Sequence, residues 1–321
     1  MRLLYFNPEN DLALAANDAH YTPPASALRM ATDLQRLPLR WAREDDFILM
    51  RDGTYINAKG DPLPVLPLET GGGSPTLLPW GWSPLTVTDF LQAGISASLL
   101  PTTEEMKAFR TLAGRATAAA VLQQLCQRLT DNGYSFQVTG EAHVCKTLDE
   151  ARLFHTRFGE SIFKQPWSGS GRGLMPAHDG LFTEKNEAWL QRTLRTQGYV
   201  MAEPAYAKRM DLAMEFWRQR DGRIHYEGLS LFMTTAGGVY AGNIVDTEDN
   251  KRKRLAPHVS LTLIDDLKDL LAEELEALPS TFYEGPIGVD MLITSDGRLQ
   301  PCIEINFRMT MGWLALNIAP F

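Results

Sequence analysis

The sequence predicts an α/β protein whose later lobes are of α+β type, preceded by a small N-terminal α/β domain. Three observations carry that prediction. Short apolar strands alternate with helical patterns in the first hundred residues, as in RLLYFNP followed, after the turn signal YTPP, by ASALRMATDLQRL. From Pro101 the chain is mostly helix-forming, whereas the last third is strand-rich, with runs separated by turn pairs such as Asp221-Gly222 and Gly237-Gly238. A chain of 321 residues that is 44% hydrophobic buries a large core but is long for one compact unit. The expected domains are 1–100, 101–198 and 199–321.

Taken in order, the first domain needs a helix at SPLTVTDFLQAG, with Ser83 as N-cap, Pro84 at the first helical position and Gly94 closing the end. ISASLL then reads as a strand, and the proline- and glycine-rich LPVLPLETGGGSPTLLPWGW as loop. The second domain opens on two helices broken near Gly114, the first starting at Thr103 with Glu104 and Glu105 behind it. A strand around EAHVCK, a helix capped by Thr147 and the strand SIFKQP complete that lobe. The third contains the strands YVMAEPAY, DLAMEFWRQ, RIHYEGLSLFMT and GVYAGNIVD, the amphipathic helix LIDDLKDLLAEELEAL, the strands IGVDMLIT and RLQPCIEINFR, and a short helix in the tail MTMGWLALNIAPF.

A formal charge of −8 argues against a nucleic-acid backbone or an anionic membrane as partner, and the basic run NKRKR reads as a solvated turn. Cys126, Cys145 and Cys302 share no metal-ligand spacing, and MRLLYFNPEND lacks the layout of a secretion signal, so a reducing cytoplasm is expected. No apolar run approaches the roughly 20 residues that span a bilayer. Small molecules are the expected partners, and a homodimer is compatible with this composition.

Two motifs carry chemistry. In FKQPWSGSGRGL, Lys164 precedes a loop with Ser168, Gly169, Ser170, Gly171 and Gly173, the reverse of the order in the common phosphate loop. Glycines at alternate positions allow backbone N–H groups to approach phosphate closely. In EINFR, strand alternation sends Glu304, Asn306 and Arg308 to one face and Ile303, Ile305 and Phe307 to the other. Asp290 on the preceding strand joins the polar face if the connecting loop has an odd number of residues, and Ser295-Asp296-Gly297 satisfies this with Gly297 in the left-handed bulge position. Two carboxylates and an amide oxygen suit Mg²⁺, whereas a salt bridge among Asp290, Glu304 and Arg308 is the structural alternative.

Lys164 with SGSGRG, Glu203 in VMAEPAY, Asp211 in RMDLAMEF, Asp290 in GVDMLI and Glu304 to Arg308 follow one another as in the ATP-grasp superfamily, which residues 101–321 resemble. The first hundred residues are similar, more loosely, to that family's preceding domain. The resemblance implies ATP and Mg²⁺ as cofactors, with two ions expected and Mn²⁺ as a substitute. It implies Lys164 and Arg115 on the phosphates, Arg115 replacing the usual lysine, and SGSGRG as a hairpin lid over the phosphates, with Trp167 placed to shield the closed site. Glu203 is then the acid at the adenine amino group, Ala205 and Tyr206 supply main chain to the adenine edge, and Asp211 takes the ribose. Pro204 departs from the family pattern and has no N–H, which moves the donor to Tyr206. Asp290, Glu304 and Asn306 match the metal positions, and Arg308 matches an arginine at the transferring phosphate or acyl group.

The function so implied is an ATP- and Mg²⁺-dependent ligase that joins a carboxylate to an amine through an acylphosphate. The same scaffold also serves carboxylases, phosphotransferases and non-catalytic nucleotide-binding modules. Glu9, Asn10 and Asp11, after the first strand, stand where α/β domains bind ligands, and equally where a helix is capped.

Overall fold

The computed structural model describes residues 1–64, 75–168, 173–178, 180–235, 240–279 and 281–318, and its strands form three sheets. In the N-terminal domain β1 (Arg2–Tyr5), α1 (Asn10–Ala16), α2 (Ala25–Asp33), β2 (Phe47–Leu49), β3 (Tyr55–Asn57), β4 (Pro62–Leu63), β5 (Thr76–Pro79) and α3 (Pro84–Gln92) follow in sequence. The sheet order is β4-β3-β2-β1-β5, with β1 parallel to both β2 and β5. A central parallel strand is covered on both faces, which is why RLLY is nearly all apolar and Leu3 and Leu4 have no exposed surface. TLLP, expected as loop, is therefore strand β5, while residues 65–74 and Gly237-Gly238 lie outside the described residues. ISASLL is a 3₁₀ turn at Ala97–Leu99 and not a strand, because the Ser96 hydroxyl takes the Ser98 N–H and bends the chain locally.

Two helices follow, α4 (Thr103–Leu112) and α5 (Arg115–Leu129). The cap of α4 is Thr102, one residue earlier than expected, in a reciprocal pair with Glu105. The middle lobe holds β6 (His143–Cys145), α6 (Leu148–Phe158), β7 (Ser161–Lys164), β8 (Leu174–Ala177), α7 (Glu184–Gln197) and β9 (Val200–Pro204), with sheet order β6-β9-β7-β8.

The C-terminal lobe is an antiparallel sheet, β12-β11-β10-β13-β14, built from β10 (Lys208–Arg218), β11 (Ile224–Thr234), β12 (Tyr240–Asn243), β13 (Gly285–Thr294) and β14 (Leu299–Asn306). The helices α8 (Glu248–Leu255), α9 (Leu261–Ala277) and α10 (Met311–Asn317) pack around it.

Apolar residues of α5, such as Val121 and Leu125, share one core with Leu299 of β14 and Leu267 of α9, a core that also takes in Leu3 and Phe90 of the N-terminal domain. β9 pairs with β6 and β7, which carries the middle lobe past residue 198. Alternation along β10 sends Leu212, Met214 and Phe216 into the core shared with α9 and leaves Asp211, Ala213 and Glu215 on the other face. The basic run NKRKR lies on α8 instead of in a turn. Lys251 is buried there and donates to Leu229 O, Arg252 pairs with Asp265 and Arg254 with Asp246. No helix among the described residues is long and apolar enough to cross a membrane.

Candidate active site

The hairpin β13–β14 turns through three residues, closed by Thr294 N–H to Arg298 O at 2.9 Å, with Gly297 at φ 82°. Asp290 stands directly opposite Glu304, so both carboxylates project from one face, as the odd loop requires. A register shift between Asp290 and Leu292 moves the pairing by an even number of residues, which preserves that facing. Asn306 joins them, donating from Nδ2 to Asp290 Oδ2 at 3.1 Å. Burial first, and then the nearby Glu304 charge, push the Asp290 carboxyl up to about 7. Two opposed carboxylates with one amide oxygen form a hard donor set that a divalent cation would neutralise, so these residues fit Mg²⁺.

The salt bridge that the sequence offered among Asp290, Glu304 and Arg308 does not form. Arg308 instead donates from Nε to Asp11 Oδ1 at 2.8 Å and from Nη2 to Asn306 Oδ1 at 2.9 Å. Glu304 is held by Arg115, whose Nη2 lies 2.9 Å from each carboxylate oxygen. Arg115 begins α5, is 7% exposed, and reaches Ser168 Oγ at 2.8 Å and Gln165 O at 2.5 Å with its other nitrogen. One guanidinium thereby ties the helix start, the base of the glycine loop and the Glu304 carboxylate, which a lysine point charge would do less directionally.

The loop springs from the antiparallel pair β7–β8, closed by Gln165 N–H to Gly173 O at 2.8 Å. Gly173 has φ 68°, and a Cβ there would lie 2.6 Å from Gln165 Oε1 and 2.8 Å from Ser168 Oγ, so only glycine fits. Gly169, Ser170 and Gly171 lie outside the described residues. Trp167 donates from Nε1 to Arg110 O at 2.8 Å, and the Arg110 guanidinium sits 3.5 Å from its ring centroid.

Lys164 at the end of β7 donates to Glu203 Oε2 on β9 at 2.7 Å, and both side chains are buried. The Ala205 N–H is engaged by Glu160 O at 2.9 Å, which leaves Tyr206 as the next main-chain donor. Asp211 Oδ2 accepts from Lys208 Nζ at 2.6 Å and from Thr234 Oγ1 at 2.7 Å.

Of the acidic cluster after β1, Asp11 and Asn10 line the cleft beside Glu304 and Asn306, a space of about 30 Å³ walled by Trp82 and Trp167. Glu9 does not reach it. Its side chain is 1% exposed and pairs with Arg51 at 2.7 Å, a partner that sequence spacing did not reveal. Burial pushes its carboxyl up, and the pairing with Arg51 opposes that. Sequence reasoning also passed over Glu215, although even spacing from Asp211 on one strand was a signal that both share a face.

No protein-family model matches the sequence. A butirosin acyl-carrier-protein–L-glutamate ligase from Niallia circulans is 23% identical over 184 residues, which are 56% of this chain and 40% of the relative. The chain thus spans about two-fifths of the length of the curated relative it matches. Among solved structures, an N5-carboxyaminoimidazole synthetase from Staphylococcus aureus complexed with ADP aligns over 100% of this chain and 78% of that chain at 14% identity, with a TM-score of 0.49. A biotin carboxylase from Campylobacter jejuni, in a complex with β,γ-ATP, aligns over 99% of this chain and 70% of that chain at 11% identity, with a TM-score of 0.51. With its three sheets and that structural likeness, the chain has the ATP-grasp fold.

Proposed function

We propose that the chain is an ATP- and magnesium-dependent ligase that joins a carboxylate to an amine through an acylphosphate, releasing ADP and phosphate. The observation that carries this reading is one sheet face bearing Asp290, Glu304 and Asn306, met by Arg115 from α5 and by Arg308. The name of the Niallia circulans relative, a ligase of an acyl-carrier protein and glutamate, supports it.

Lys164, Arg115, Ser168 and the glycine loop, including Gly169, Ser170, Gly171 and Gly173, hold the phosphates in this reading. Glu203 and the main chain at Ala205 and Tyr206 receive the adenine, Ala205 through its carbonyl, and Asp211 receives the ribose. Asp290, Glu304 and Asn306 would hold magnesium, two ions in this reading, or manganese in its place. When bound, the metal offsets phosphate charge. Arg308 presents its fork to the transferring group as a substrate carboxylate oxygen attacks the terminal phosphorus and ADP departs. An amine nitrogen then attacks the acyl carbon, the bond to phosphate breaks, and the amine proton leaves to solvent. Asp11 and Asn10 face the incoming substrate, and no protein nucleophile is needed. The proposal places the enzyme in the cytoplasm, as a homodimer.

The test is an ADP-release screen of candidate acids with and without amines, in wild type and Glu304→Ala. Release that requires both an acid and an amine is expected. Turnover that persisted in Glu304→Ala with its magnesium dependence intact would reject the metal site.

A further inference from the structure

The most deeply buried carboxyl on the active face has no part in the scheme above. Glu215 on β10 is 1% exposed and stands opposite Gly288 on β13, which in turn stands opposite Asn306 on β14. The neighbouring row across the same strands is Ala213, Asp290 and Glu304. Glu215 therefore shares the face of the three proposed metal ligands, one glycine away from them.

Two glycines clear the space it fills. A Cβ on Gly288 would lie 2.9 Å from Glu215 Oε2, and one on Gly312, in α10, 2.0 Å from Glu215 Oε1. Glu215 Oε2 accepts a hydrogen bond from Thr310 Oγ1 at 2.8 Å, and that same hydroxyl caps α10 by accepting from Trp313 N–H at 2.8 Å. Only Met309 separates Thr310 from Arg308. Its N–H bonds to Trp80 O at 2.8 Å, and Arg308 forms a backbone bridge with Gly81. The segment that carries Arg308 is thus fastened at two points, to the N-terminal domain on one side and to Glu215 on the other.

We infer that Glu215 is a positioning residue for Arg308, holding the start of α10 through the Thr310 hydroxyl so that the guanidinium faces the transferring group. The inference rests on the role proposed above for Arg308. Burial pushes the Glu215 carboxyl up to about 8, so at neutral pH it acts as a neutral hydrogen-bonding group that glutamine can replace.

The experiment measures dissociation constants for Mg-ADP and for Mg-AMP-PNP, a nonhydrolysable triphosphate, by calorimetry. The proteins are wild type, Arg308→Ala, Glu215→Leu, Glu215→Gln and Thr310→Val. Loss of one charge-assisted contact to the terminal phosphate weakens AMP-PNP by about tenfold while ADP stays within about twofold. Arg308→Ala, Glu215→Leu and Thr310→Val are expected to show that split, and Glu215→Gln to match wild type. If Arg308→Ala shows the split but Glu215→Leu does not, the positioning role is overturned and the reading of Arg308 stands. If Arg308→Ala shows no split, that reading falls and takes the inference with it. Should Glu215→Leu fail to fold, Thr310→Val decides alone, and a wild-type ratio there overturns the role.

Discussion

Two of the cation–carboxylate pairs at the site are built on different principles. Lys164 and Glu203 sit on neighbouring strands of one sheet, with side chains 9% and 7% exposed. Arg115 and Glu304 join a helix start to a strand 189 residues away, and Glu304 is 25% exposed. The first pair is a fixture of its lobe, set once β7 and β9 align. The second exists only because α5 packs on β14, and its Glu304 lines the cleft beside Asp11 and Asn306. A dry pair fixed by one sheet should matter most to stability, and a wetter pair that several segments share should matter most to ligand exchange.

The largest effect should come from the shared pair, in activity. Glu304→Ala removes a proposed metal ligand and releases Arg115, and magnesium-dependent ADP release should fall by about 10²-fold or more, by analogy with loss of one preorganised electrostatic group. A steady-state ADP assay over a magnesium titration measures it. In stability the order reverses. Lys164→Met strands the Glu203 carboxylate in the middle lobe, and breaking a buried pair by deleting one partner costs about 3–5 kcal/mol. Urea unfolding should reveal that loss, and a midpoint equal to wild type would mean that water reaches Glu203.

The contrast also explains what was legible in sequence. The polar face of β14 and the facing of Asp290 and Glu304 follow from the period-two pattern and an odd loop, both local facts. The pairing of Arg115 with Glu304, the burial of Glu9 by Arg51 and the packing of α5 on β14 depend on contacts far apart in the chain, and no local pattern encodes them. β5 was missed because TLLP lies among prolines and glycines, and only its pairing with β1 makes it a strand.

A pH test separates the contributions of two buried carboxyls on this sheet face. The Glu215 carboxyl sits at about 8 in the folded protein against an ordinary 4.5, because burial disfavours its charge. The folded state therefore keeps a proton that the unfolded chain releases. The sign follows from linkage: this contribution is fully present below pH 4.5 and is lost as pH rises towards about 8. Asp290, raised from 3.8 to about 7, acts in the same direction over a lower window. Glu215→Gln should flatten the fall in unfolding free energy between those limits while leaving the part due to Asp290. Identical slopes in the two proteins would show that Glu215 ionises as freely when folded as when unfolded.

The smallest effect belongs to Arg115→Met, measured as stability, and it sharpens the comparison most. Removing the guanidinium leaves Glu304 beside Asp290 without its cation, but a carboxylate that is a quarter exposed is still hydrated. Solvent screening brings the expected loss to about 1–2 kcal/mol, below that for Lys164→Met. A divalent cation then has access to the carboxylate that Arg115 formerly occupied. Adding millimolar Mg²⁺ should restore most of the lost unfolding free energy in Arg115→Met and none of it in Lys164→Met, because ligand binding to the folded state stabilises it by mass action. Equal magnesium responses in the two variants would mean that the two pairs share one environment. In that case the distinction between a fixed pair and an exchangeable one would be lost.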